Sequence, residues 1–70
     1  MARGPATARV AARVSQLRRE RGLSQEALAA KARINRVTIA RLEAAAHPPN
    51  IETLDRIARA LGVTLAELVR

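Results

Sequence analysis

Arg36, Val37 and Arg41 are the side chains in this 70-residue chain best placed to do chemistry. A guanidinium group is a rigid fork of donors that matches paired acceptors, such as the O6 and N7 edge of guanine. An exposed branched hydrocarbon can lie against a thymine methyl. On a helix wheel with Arg36 at zero, Ile39 and Leu42 fall near 300° and 240°, at about 100° per residue. Arg36, Val37, Ala40, Arg41 and Ala44 then spread over about 0° to 140°, the face turned away from any core. The plain alternative is a pair of solvated arginines, and Val37 could equally pack against the preceding helix. Gln25 and Thr38 lie near helix starts, where an amide, a hydroxyl and backbone N–H groups can hold phosphates.

Other chemistries find no support. The chain has no cysteine, which excludes disulfides, thiolate metal sites and a cysteine nucleophile. His47, the one histidine, precedes Pro48-Pro49 with no partner at ligand spacing, so it is a loop residue and no metal is expected. Ser15 and Ser24 lack a histidine base, and no glycine-rich phosphate loop is present. Neither catalysis nor a cofactor nor a small-molecule ligand is expected.

The elements that must carry these residues are punctuated clearly. A first helix over about Ala6 to Arg21 places Val10, Val14 and Leu17 in one apolar stripe, and Gly22 supplies a left-handed exit. Ser24 caps a second helix, with Glu26 in its first turn and Leu28, Ala29 and Ala32 inward. Asn35 caps a third, expected to run to about Ala45. Pro48-Pro49 mark a loop, and Asn50 caps a fourth helix with Leu54, Ile57, Ala58 and Leu61 inward. Gly62 ends that helix. Thr64 and Glu67 form a capping-box pattern for a short fifth helix. No strand alternation or repeat appears, so the fold class is all-α. Residues 1–8 are expected to form a flexible arm and residues 9–70 the domain.

Charge is segregated along the chain. The net charge is +7, with residues 1–41 at +8 and residues 42–70 at −1. A strongly basic end calls for a polyanion partner, nucleic acid first. With no aromatic residue, the core must be assembled from Leu, Ile, Val and Ala. Such a core is thin, and dimerisation would add to it. No apolar run approaches the ~20 residues of a membrane span, and Met1-Ala2-Arg3-Gly4-Pro5 is not followed by the apolar stretch of a signal peptide. The cysteine-free composition fits the cytoplasm.

Residues 24–43 give a short helix, a tight turn at Ala32 to Asn35 and a second helix. Ala29 is small where the helices cross, and Ile34 is apolar in the turn. Together with Leu17-Arg18-Arg19-Glu20-Arg21-Gly22-Leu23 before them and Pro49-Asn50-Ile51-Glu52-Thr53-Leu54 and Ile57-Ala58-Arg59-Ala60-Leu61-Gly62-Val63 after, they resemble the Xre-type (phage repressor and Cro-like) helix-turn-helix family. The resemblance covers residues 9 to 69. It implies a five-helix, lambda-repressor-like DNA-binding domain that binds double-stranded DNA as a homodimer on a partly palindromic operator.

It further implies base contacts from Arg36, Val37 and Arg41, backbone contacts from Gln25 and Thr38, and a structural ion pair between Arg18 and Glu43. In this family the loop before the fourth helix and the last helix often meet a partner subunit, which points to Pro49, Ile51, Leu65 and Val69. Two departures stand out. Arg33 occupies a turn position where the family usually has glycine, bringing charge near the phosphates, and Ala44-Ala45-Ala46-His47 follow the third helix where glycine with basic or polar residues is common. The remaining first-helix arginines, Arg9, Arg13, Arg19 and Arg21, are expected on a solvated face or in loose phosphate contacts.

The function expected is a sequence-specific transcriptional regulator, a repressor without cofactor. The alternative is an antitoxin-like or adaptor protein-interaction module on the same fold, which an exposed apolar tail would favour. A membrane-surface role for the basic first helix is disfavoured by the missing aromatics and the four further capped helices.

Overall fold

The computed structural model describes residues 4–70. Five helices follow in order: α1 (Pro5–Glu20), α2 (Gln25–Ala32), α3 (Arg36–Glu43), α4 (Ile51–Leu61) and α5 (Leu65–Val69). Pro5 stands in the first turn of α1, where a missing N–H costs nothing. Residues 5–8 of the expected arm are therefore helical, and Met1 to Arg3 lie outside the described residues.

Side-chain oxygens start the four other helices. Ser24 accepts from the Ala27 N–H, Asn35 from Val37, Asn50 from Thr53 and Thr64 from Glu67. Each satisfies a donor that the first turn leaves orphaned. At α5 the box is complete, because the Thr64 N–H donates back to the Glu67 carboxylate at 3.0 Å.

Helices α1 to α4 share one way of ending. A residue turns into the left-handed region, and paired main-chain bonds close back on the last turn. At the exit of α1, Leu23 N–H donates to Arg18 C=O (3.0 Å) and Gly22 N–H to Arg19 C=O (2.9 Å). The same pattern recurs around Arg33, Ala45 and Gly62. Gly22 and Gly62 take φ 67° and 74° without strain, whereas Arg33 and Ala45 take φ 60° and 56° with a Cβ.

The exit at Ala45 corrects the expected length of the third helix. It ends at Glu43, and Ala45 N–H and Ala46 N–H close on Leu42 and Arg41 at 3.0 Å each. Alanine's helix preference is worth only tenths of a kcal/mol per residue, so tertiary demands override it.

The core sits where all five helices converge. Val10, Val14, Leu28, Ile39, Leu42, Leu54, Ile57, Leu61 and Leu68 are buried, and the small side chains of Ala29, Ala32, Ala58 and Ala60 are buried among them. Leu17, Leu23, Ile34, Val63, Leu65 and Val69 seal its edges. No buried side chain among the described residues is polar or charged. The radius of gyration is 10.6 Å. About 11 Å is expected for a domain of this size, so the aliphatic core closes without aromatics.

Candidate nucleic-acid interface

The third helix is positioned from behind by one polar cluster. Arg18, in the last turn of α1, donates from Nε to Glu43 Oε2 at 2.7 Å and from Nη2 to Oε1 at 3.0 Å. Its third nitrogen, Nη1, donates to the Leu23 carbonyl at 2.7 Å. The two side chains are only 11% and 7% exposed. Gln25, the first residue of α2, adds a bond from Nε2 to Glu43 Oε1 at 3.1 Å. A bidentate pair of this kind fixes orientation as well as distance, so the end of α3 is held against α1 and the start of α2.

The electrostatics of the cluster are self-consistent. Burial alone would push the Glu43 carboxyl up, but the hydrogen bonds from Arg18 and Gln25, with the Arg18 charge and the Ser15 hydroxyl, carry it below the ordinary glutamate value. The same bond to Glu43 raises Arg18 further. Both groups stay charged near neutrality.

With Ile39 and Leu42 buried at 0% and 4%, the opposite side of α3 faces outward. Arg36, Val37, Arg41 and Ala44 are exposed there and Ala40 is half-buried. Val37 is 43% exposed, one of two large apolar side chains so placed among the described residues. Thr38 is exposed in the first turn of α3. With Arg41 it forms one wall of a cleft of ≈ 230 Å³, whose other wall is the Pro48-Pro49 loop and the start of α4 at Asn50 and Thr53.

Arg33 lies exposed in the turn between α2 and α3, and its carbonyl accepts a long bond from Arg56 Nη1 at 3.4 Å. Lys31, Arg33, Arg56 and Arg59 line a second groove, floored by Ala32 and Ala60. Arg59 there pairs with Asp55 at 3.1 Å. The basic surface thus extends onto α4, which the near-neutral charge of residues 42–70 conceals.

Two first-helix arginines differ from the solvated role expected of them. Arg13 Nε donates to the Glu67 carbonyl at 2.9 Å, and Arg21 Nε to the Leu61 carbonyl at 2.6 Å. Both are scaffold bonds, Arg21 satisfying an orphan carbonyl at the end of α4. Sequence patterns give no signal for such contacts, because the acceptors are main-chain atoms.

Of the four residues expected at a subunit contact, Ile51 is 64% exposed. Pro49 is half-buried, and Leu65 and Val69 pack partly against the core. Among the described residues, no cluster of His, Cys, Asp and Glu could hold a metal ion, and no helix is long and apolar enough to cross a membrane.

A family profile described as Helix-turn-helix matches residues 14–68. The Immunity repressor protein of Bacillus phage phi105 is 37% identical over 60 residues, 86% of this chain and 42% of the phage protein. The chain thus spans less than half the length of that relative. The uncharacterized HTH-type transcriptional regulator y4dJ of Sinorhizobium fredii is 38% identical over 60 residues, 86% of this chain and 78% of that protein. Among solved structures, the hypothetical transcription factor NHTF from Neisseria superposes with a TM-score of 0.88 at 26% identity, over 93% of this chain and 75% of that one. The wild-type restriction-modification controller protein C.Esp1396I gives 0.85 at 26% identity, over 94% and 88%.

Proposed function

The chain belongs to the Xre-type helix-turn-helix family, and from that premise we propose that it is a sequence-specific regulator of transcription, a repressor, that binds double-stranded DNA as a homodimer. The observation that carries this reading is the outward face of α3. It pairs two unburied guanidinium groups with an exposed valine, on a helix whose rear is locked by the Arg18–Glu43 pair.

In this reading α3 enters the major groove, Arg36 and Arg41 meet guanine edges, and Val37 meets a thymine methyl. Thr38, Arg33 and Gln25 hold phosphates. One Gln25 amide N–H bonds to Glu43, and an amide carries a second N–H that could donate to a phosphate. Ile51, with Pro49 beside it and the edges of Leu65 and Val69, would meet the partner subunit. Two recognition helices would then lie about 34 Å apart, one duplex turn.

The experiment is selection of bound sequences from a random duplex pool, followed by titration of the enriched duplex by fluorescence anisotropy. A palindromic pair of half-sites one turn apart is the expected result. Binding without sequence preference would overturn the reading.

A further inference from the structure

The centre of the outward face of α3 is hydrocarbon, with the cations at its rims. Opposite the buried pair Ile39 and Leu42, the wheel places Val37 and Ala44 in the middle at about 100° and 80°, Ala40 beside them, and Arg36 and Arg41 at either side. Val37 is 43% exposed, Ala44 is exposed and Ala40 is half-buried. These three side chains offer neither donor nor acceptor. Whatever base pairs face them can be told apart only by shape and by hydrocarbon contact.

In the major groove the one hydrocarbon group on a base edge is the C5 methyl of thymine. Cytosine methylated at C5 carries the same group at the same place, whereas uracil and unmodified cytosine lack it. From this geometry we infer that the chain is a reader of pyrimidine 5-methyl groups, and that its affinity for a site responds to cytosine methylation. The inference rests on the DNA-binding reading above and adds a regulatory input to the same surface.

Val37 is the specificity-determining residue of this device. It stands in the first turn of α3, and its two methyl groups supply more contact area than Ala40 or Ala44. The helix rises about 1.5 Å per residue, so Val37, Ala40 and Ala44 span roughly 10 Å, some three base-pair steps. Burying one methyl-sized group is worth about a fourfold change in affinity.

The test uses the half-site obtained by selection. Each thymine is replaced singly by deoxyuridine, and cytosine and 5-methylcytosine are compared at the same positions, with dissociation constants measured for the wild-type chain and V37A. The expected result is a loss of about fourfold on thymine-to-uracil exchange at one or more positions, and a matching gain on methylating cytosine there. V37A should bind thymine and uracil duplexes nearly equally at the position Val37 reads. Its fold is checked by circular dichroism, and alanine suits a helix. Indifference of the wild-type chain to every uracil exchange would overturn the inference while leaving DNA binding intact. So would a V37A variant that keeps the full uracil loss at every position. Failure to enrich any duplex would instead remove the DNA-binding reading on which the inference stands.

Discussion

Arg18 and Glu43, 25 residues apart in sequence, meet in a two-pronged ion pair at 2.7 and 3.0 Å that joins the end of α1 to the last residue of α3. Glu43 sits near 340° on the wheel of α3, beside the core side, so the pair fixes the helix's rotation. Removing one partner leaves the other charge nearly buried and unpaired. Glu43→Ala or Arg18→Ala should therefore destabilise the fold by roughly 3 kcal/mol, read as a fall in the urea midpoint. The double variant Arg18→Met with Glu43→Leu should recover part of that loss. An unchanged midpoint in either single variant would show that the pair is only decorative.

The same carboxylate gives stability a pH dependence of definite sign. Glu43 lies below its ordinary value in the folded state, so its contribution is fully present above the unfolded glutamate pKa, about 4.3. It is lost as pH falls through the lower, folded value. Urea unfolding at pH 7, 4 and 3 should show the wild type weakening from about pH 4 downward. Glu43→Gln, already weaker at pH 7, should lose less over that interval. Parallel curves for the two proteins would count against the pair as the source.

Arg33 and Ala45 each hold a left-handed backbone with a Cβ, at φ 60° and 56°. Glycine removes that conflict, at some cost in unfolded-state entropy. Arg33→Gly and Ala45→Gly should each stabilise by up to about 1 kcal/mol, or roughly 4–8 °C in a domain of this size. The two should differ in binding. Arg33→Gly removes a proposed phosphate contact and should lower duplex affinity with a shallower salt dependence, whereas Ala45→Gly should leave affinity unchanged. Thermal melts and anisotropy at two salt concentrations separate the cases.

Local chemistry explains why some of this was legible in the sequence. Ser24, Asn35, Asn50 and Thr64 each put a side-chain oxygen just before an apolar-periodic run, and each does cap a helix. Ile39 and Leu42 determine which side of α3 faces out, so its outward face follows from spacing alone. Ala45 is illegible by contrast, since nothing about alanine announces a left-handed exit. The Arg13 and Arg21 bonds are hidden because their acceptors are carbonyls that only the folded chain brings near. Gln25's bond to Glu43 likewise exists only once α2 and α3 have packed.

Ile51 is the most exposed large apolar side chain among the described residues, at 64%. A lone surface isoleucine is common and needs no partner. Beside Pro49 and above a thin aliphatic core, it is the residue proposed to anchor a second copy. Ile51→Glu should leave the monomer's unfolding free energy within about 0.5 kcal/mol, being a surface change. It should shift sedimentation toward the monomer and weaken binding to a two-half-site duplex, with little effect on a single half-site. Equal sedimentation of both proteins would remove Ile51 from the interface.

Arg36 and Arg41 stand at opposite rims of the outward face of α3 and differ in what surrounds them. Arg36 is the first residue of α3, next to the Asn35 cap, whereas Arg41 shares a cleft wall with Thr38 near the start of α4. Each bidentate contact to guanine is worth about 1–3 kcal/mol of discrimination. Arg36→Ala and Arg41→Ala should each cost that much on the selected duplex and relax preference at one base position, the two positions being different. Thr38→Ala should weaken cognate and random duplexes alike, since a phosphate contact carries no base information. Anisotropy titrations against the selected duplex and its single-position variants supply the comparison. If either arginine variant lost affinity equally on cognate and random duplex, that guanidinium would hold phosphate instead, and the base reading at its rim would pass to Val37 and its neighbours.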